Sequence, residues 1–345
     1  MEQEVRVLQI VSIILFATLL CLLTYLVIRK VIENRQNNHI NERKKQLVGP
    51  IFSYLREGKE RVKDIMQSRI DKQAIEQVLT DFSERIEGEQ EEERLHELAD
   101  FYLKDKYRKE IKSRYWSKRM NVLYKIEDFH MKEMTHQVIS RLSKRNCHKE
   151  EKIQIYRILA AFQYDNIWSL INKDEELTEK NYRSILLRLK PESFRKLIQP
   201  FYYCREALQL ATLDVISMKK KVEYIQFLED VFAKYEEEIR LRALKAIAAI
   251  GYVRNMEDYV LLAESEVWQE RMMVAKLLGS RSSLDKYIPL LVKLLHDSSW
   301  WVRSQAAESI LSFKKGREVL FEVVNQSEDK FAKDMAREWL NKGVY

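Results

Sequence analysis

The chain has 345 residues, with 46% hydrophobic residues and 60 Lys and Arg set against 53 Asp and Glu, a net charge of +7. Seven Gly and four Pro are too few for an architecture of many tight turns, which excludes a β-rich fold and favours long helices. Acids interspersed among the bases exclude a simple polycation and leave a mixed surface that suits anionic lipid or acidic partners without demanding nucleic acid.

Residues 1–6 form a short tail with one base, Arg6, against Glu2 and Glu4. Val7 to Ile28 then run 22 residues without a charge, broken only by Gln9, Ser12, Thr18 and Thr24. About 20 apolar residues cross a bilayer core, so 7–28 reads as a single transmembrane helix. The run is longer than a signal-peptide core and no small-residue cleavage site follows it. Arg29, Lys30, Arg35, Arg43, Lys44 and Lys45 come next, and the positive-inside bias places the body in the cytoplasm and the tail outside. Cys21 lies in the apolar run, and Cys147 and Cys204 have no paired spacing, as free thiols of a reducing compartment would.

Residues 29–100 read as a juxtamembrane helical region. Ile51, Tyr54 and Leu55, then Val62, Ile65, Met66 and Ile70, then Ile75, Val78, Leu79 and Phe82 recur at helical spacing. Gly49-Pro50 and Gly58 are the expected breaks. Two roles compete here: a stalk or coiled coil, or the first worn helical pairs of a repeat array. Heptads are not sustained, which weighs against the coiled coil. The acidic run Glu84 to Glu93 fits a solvated turn and the first turn of a helix, whose dipole favours acids.

Between 101 and 220 a helical-pair pattern is present but degraded. Arg119 is followed by Val122, Leu123 and Ile126; Lys152, 33 residues on, is followed by Ile155, Tyr156 and Leu159. Tyr182 to Leu189 and Glu206 to Ile216 read as helices of unfixed register, separated by Pro191 and Pro200.

From 221 to 345 the pattern is regular. A helix, an acid-bearing turn and a second helix opening on a base recur with Arg240 (Ala243, Leu244, Ile247), Arg271 (Val274, Ala275, Leu278), Arg303 (Ala306, Ala307, Ile310) and Lys333 (Ala336, Arg337, Leu340). The anchors stand 31, 32 and 30 residues apart. A period in this range, built of helix pairs that must share their apolar faces with neighbours, is the mark of a solenoid. The expected fold class is all-α, an α-solenoid preceded by one transmembrane helix.

The helix pair, the Asp297-to-Arg303 turn, the Ala306-Ala307 step and Pro289 resemble HEAT repeats of the type common in bacteria. The resemblance is clearest over about 222–345 and extends more weakly back to about 101. It implies that the turn acid and the Arg opening the second helix tie repeats into a ladder. Asp297 with Arg303 is the best match, then Glu236 or Glu238 with Arg240, Glu264 or Glu266 with Arg271, and Glu328 or Asp329 with Lys333. It also implies a protein-binding scaffold, although a few similar proteins are DNA glycosylases or phycobilin lyases.

No nucleotide-binding or nucleophile-elbow motif occurs, and no CxxC, so no catalytic residue, cofactor or metal is assigned. Glu93/His96 and Glu133/His136 share the Glu-x-x-His step of di-iron bundles but lack the further carboxylates. Cys147 beside His148 reads as a surface pair. Lys104 to Arg119 interleaves bases with Tyr107, Tyr115 and Trp116, the composition of a nucleic-acid or anionic-lipid patch, and equally of a solvated helix with aromatics facing a core. Trp300 shares its place with Trp116 and Trp268 and is expected to pack; Trp301 is expected to be exposed. The expected contact surface carries Arg240, Arg271, Trp301 and Arg303, facing a membrane-associated protein partner at the inner face of the cell membrane, with anionic lipid headgroups as a further contact. The alternatives are an enzyme on a HEAT-like scaffold, or a binder of nucleic acid or anionic lipid through basic faces.

Overall fold

The computed structural model describes residues 2–58, 68–86, 88–281 and 284–342, with residues 2–9, 11 and 12 at the level of the backbone. Every regular element among the described residues is helical. The anticipated apolar positions Val62, Ile65 and Met66 lie outside the described residues. By internal contacts the chain divides into two compact units, Met1–Phe162 and Gln163–Tyr345. The segment limits anticipated at 100 and 220 fall inside these units.

The first unit opens with α1 (Glu2–Glu57), a single helix that runs through Gly49-Pro50 without ending there. The expected break is therefore at Gly58 alone, where φ reaches +70° and the amide donates to the Tyr54 carbonyl at 2.9 Å. That left-handed conformation is open to glycine at no steric cost and stops the helix. Pro50, itself exposed, costs α1 one backbone hydrogen bond, while Leu47 and Ile51 on either side of it are buried. Residues 13–39 are exposed. From Ile40 onward one stripe (Ile40, Leu47, Ile51, Tyr54, Leu55) is buried. It packs on α2 (Arg69–Ser83) and α3 (Glu89–Glu110), which supply Ile75, Val78, Leu79, Leu98 and Leu103 to the core. Residues 40–57, 69–83 and 89–100 are thus packed helix, and 29–39 form an exposed helical extension about 16 Å long at 1.5 Å per residue. Ser68 starts α2 with a reciprocal capping box to Asp71. The unit continues with α4 (Trp116–Asp128), α5 (Thr135–Leu142) and α6 (Lys149–Ala161), α4 lying against α6.

The second unit is a stack of helical hairpins. The pairs are α7 (Ile167–Lys173) with α8 (Glu179–Leu186), α9 (Pro191–Ile198) with α10 (Glu206–Lys219), α11 (Ile225–Lys234) with α12 (Glu237–Ile250), α13 (Glu257–Val260) with α14 (Trp268–Gly279), α15 (Ile288–Leu295) with α16 (Trp300–Leu311), and α17 (Gly316–Gln326) with α18 (Lys330–Lys342). The second helices pack in series, α8 on α10, then α12, α14, α16 and α18. Each buries its small and apolar residues against both neighbours: Ala243, Leu244 and Ile247, then Val274, Ala275 and Leu278, then Ala306, Ala307 and Ile310.

The register left open between 165 and 220 follows from these helices. The fourth residue of each second helix is Tyr182, Gln209, Arg240, Arg271, Arg303 and Lys333, spaced 27 to 32 residues apart. Pro191 does not break the period, because it stands at the first position of α9 much as Pro289 stands in the first turn of α15. Proline is favoured there, where its missing N–H has no helical partner to lose.

A second tie joins repeats at the far ends of these helices. Ser280 Oγ donates to the Gly251 carbonyl at 2.8 Å, and Ser312 Oγ to the Gly279 carbonyl at 2.9 Å. Gly279 permits this approach: a Cβ there would stand 2.7 Å from the Ser309 Cβ and 3.0 Å from its Cα.

Candidate partner-binding surface

The fourth-position arginines share one posture. Each turns one edge of its guanidinium back onto carbonyls just before its helix, and in three cases the other edge reaches an acid one repeat further along the chain. Arg271 Nη1 donates to the Ser265 and Glu266 carbonyls at 2.7 and 3.2 Å, while Nε and Nη2 hold the two Asp297 oxygens at 2.6 and 2.8 Å. Arg240 Nη1 donates to the Phe232 carbonyl and Nε to Glu270, both at 3.1 Å. In the first unit, Arg119 donates to the Ser113 and Arg114 carbonyls at 2.8 and 3.1 Å and grips Glu151 at 2.7 and 2.9 Å. Paired bonds of this kind are directional and roughly twice as strong as neutral ones.

The ladder therefore differs from the pairing expected from the repeat pattern. Its acids lie one repeat ahead of their arginines. Asp297 serves Arg271, and Arg303 takes the Asp297 carbonyl at 2.7 Å. Glu238 pairs with Arg242 at 2.7 Å, Glu264 with Lys293 at 2.5 Å, and Asp329 caps α18 through the Phe331 amide at 2.8 Å. The reason is reach: a guanidinium folded onto its own turn has only its outer edge free, and that edge faces the neighbouring hairpin. Tyr182 and Gln209 keep the inward half of the posture, the Tyr182 hydroxyl donating to the Ile171 carbonyl at 3.1 Å and Gln209 Nε2 to the Phe201 carbonyl at 2.9 Å.

Electrostatics follow the burial. Burial alone would raise the Glu151 carboxyl, but hydrogen bonds from Arg119, Arg141 and the His148 amide outweigh it and hold the group down to about 2. Asp297 is likewise opposed by burial and is held below its ordinary value by Arg271 and the Ser299 amide. A further network ties α8, α10 and α12: Asp214 accepts from Arg242 at 2.8 Å and lies 3.3 Å from Arg183.

Of the four residues expected to meet a partner, Arg240 and Arg271 are half-buried in these rungs and Arg303 is 8% exposed. Trp301, at 58% exposure, presents itself fully. Trp300 departs from expectation. It is 45% exposed and meets the Trp301 ring edge to face at 4.8 Å, because the first residue of a second helix stands at the hairpin tip and not in the stack. Beside them, Phe331 is 68% exposed, with the Arg303 guanidinium 5.3 Å from its ring centre. The sequence pattern missed Phe331, although it holds in α18 the place that Trp301 holds in α16.

The other sequence candidates are placed as follows. His96 is half-buried, its proton affinity lowered by burial, and its ring faces His130 at 5.9 Å. Glu133 lies 3.6 Å from Lys104, and His136 is exposed. Among the described residues no three His, Cys, Asp or Glu come together as ligands. Burial raises the Cys147 thiol, the opposite of activation. Within Lys104 to Arg119, Lys104 pairs with Asp100, Lys106 with Glu76, and the buried Tyr107 hydroxyl with Glu76, which resolves much of that stretch into a helix with its own counter-ions.

Residues 224–312 match the family model for HEAT repeats. No curated protein matches the chain. Among solved structures, YibA of Escherichia coli is similar at 15% identity over 75% of this chain and 98% of its own, with a TM-score of 0.44. An engineered protein is similar at 14% identity over 86% of this chain and 90% of its own, with a TM-score of 0.37. The family match falls on hairpins whose second helices stack in register through an arginine ladder, and residues 224–312 are similar to HEAT repeats.

Proposed function

We propose that the protein is a membrane-tethered scaffold, its helical body in the cytoplasm, docking a membrane-associated protein partner without catalysing a reaction. The observation that carries this reading is α1: its exposed apolar segment continues without interruption into a buried stripe of the first packed helices. A helix that is apolar on all sides and shared with nothing is suited to lipid. Such a tether confines the body to the bilayer surface and raises the local concentration of whatever else resides there. Arg29, Lys30 and Arg35, exposed just beyond the apolar run, suit anionic headgroups. Exposed Trp300, Trp301 and Phe331 at neighbouring hairpin tips supply the aromatic anchors that protein interfaces favour. A nucleic-acid role is disfavoured because many candidate bases already hold carboxylates.

The test is carbonate extraction of membranes followed by affinity capture, with and without residues 1–30. The full chain should stay in the pellet and co-purify a membrane protein, and the truncated chain should do neither. Release of the full chain by carbonate would end the tether reading. A tethered chain that captures no partner would end the scaffold reading.

A further inference from the structure

One rung of the ladder is incomplete. Arg303 adopts the posture of Arg119 and Arg271, its Nη1 spent on the Asp297 and Ser298 carbonyls at 2.7 and 2.9 Å. In those other rungs the outer edge of the guanidinium holds a carboxylate. Among the described residues no carboxylate lies within ion-pair distance of Arg303; Asp297, already bonded to Arg271, feels its charge only through space, and the buried Arg303 Nε has no hydrogen-bond partner. The two places that supply acids elsewhere, one and six residues before the fourth position, hold Ala332 and Ser327 in the last hairpin. Ser327 does the local half of the work that Asp297 does: its Oγ accepts the Asp329 amide at 3.1 Å, as Asp297 accepts the Ser299 amide at 2.7 Å. The Ser327 Oγ also meets His296 Nε2 at 2.9 Å and makes no bond to the arginine. The Asp329 carboxylate is engaged in capping α18. An arginine more than nine-tenths buried is costly to leave without an anion, and what covers it is the exposed Phe331 ring.

We infer that Arg303, with Phe331 as a displaceable cover and Trp300 and Trp301 alongside, is the docking point for an acidic segment of a protein partner, whose carboxylate completes the rung. This rests on the scaffold reading and gives its partner a chemistry. An acid next to an aromatic or apolar residue fits best: the carboxylate takes the fork and the neighbouring side chain lies against the tryptophans.

The test uses the full chain in detergent and two fluorescent pools of acetylated octapeptides, one with a central Asp-Phe pair and one with Asn-Phe, read by anisotropy. The Asp pool should bind at least about tenfold tighter. Arg303→Gln should abolish that preference. Ser327→Asp fills the rung from within, so it should abolish the preference too while raising Tm by roughly a few degrees, a gain lost in the Arg303→Gln background. Equal binding of both pools, no binding of either, or a preference that survives Ser327→Asp would overturn the inference. If the peptide preference fails while the wild-type chain still captures a membrane protein, the scaffold reading stands and this site does not. If the preference holds and nothing is captured, the reverse follows.

Discussion

The α4–α6 rung of the first unit and the rungs of the second are built from the same arginine posture and differ in what closes them. Glu151 is fully buried and shared by two arginines, with Arg141 Nε adding a bond at 3.1 Å to those of Arg119. Asp297 bonds one arginine from a turn at the repeat edge, and Arg303 has no carboxylate within ion-pair distance among the described residues. The difference teaches that a recurring residue is not a recurring role. Where two cations converge on one buried carboxylate, the rung is a structural lock; where the acid is missing, the cation is left for something else.

That contrast is most directly broken by Glu151→Gln. It leaves Arg119 and Arg141 buried without their anion and should cost about 3–5 kcal/mol in urea unfolding followed by circular dichroism. A loss under about 1 kcal/mol would mean the lock is not one. Gly279→Ala probes the other tie between repeats, pushing a Cβ into Ser309, and should cost about 1–3 kcal/mol. Arg271→Ala should cost less than the Glu151 change, about 2 kcal/mol, because Arg271 is half-buried and serves Asp297 alone, where Glu151 is fully buried between two arginines.

Acid sharpens the same comparison. Glu151 is depressed from an ordinary 4.5 to about 2. Its contribution is therefore complete above the ordinary value and is lost as pH falls from about 4.5 toward about 2. The denaturation midpoint of the wild type should drop across that window, and that of Glu151→Gln should drop less. Equal slopes in the two proteins would detach the acid response from this rung. The smallest expected effect is that of Trp301→Ala, within about 0.5 kcal/mol of wild type in stability while weakening partner capture. A large stability loss there would return Trp301 to the core.

Much of the fold was legible because its causes are local. The uncharged run of residues 7–28 and the Arg-x-x-Ala/Val-x-x-x-Leu/Ile spacing of the last third are one-dimensional patterns, and they predicted the long apolar helix and the stacked second helices. Where chemistry varied at constant geometry, the pattern failed. Tyr182 and Gln209 do part of the work of the arginine, and a search for a base could not register them. The site was less legible still. The exposure of Trp301 was anticipated from its place at a helix start, but the burial of Arg303 and the exposure of Trp300 depend on neighbours 30 or so residues away.

The sequence by itself determined that this is an all-helical repeat chain led by an apolar helix, since periodicity and length act along the chain and need no partner to be read. Tertiary structure alone decided which acid each arginine holds, because a guanidinium folded onto its own turn can offer its free edge only to the next hairpin. That direction, set by reach and burial, aims Arg303 at a hairpin whose two acid-bearing places hold Ser327 and Ala332, so no carboxylate lies within ion-pair distance of it.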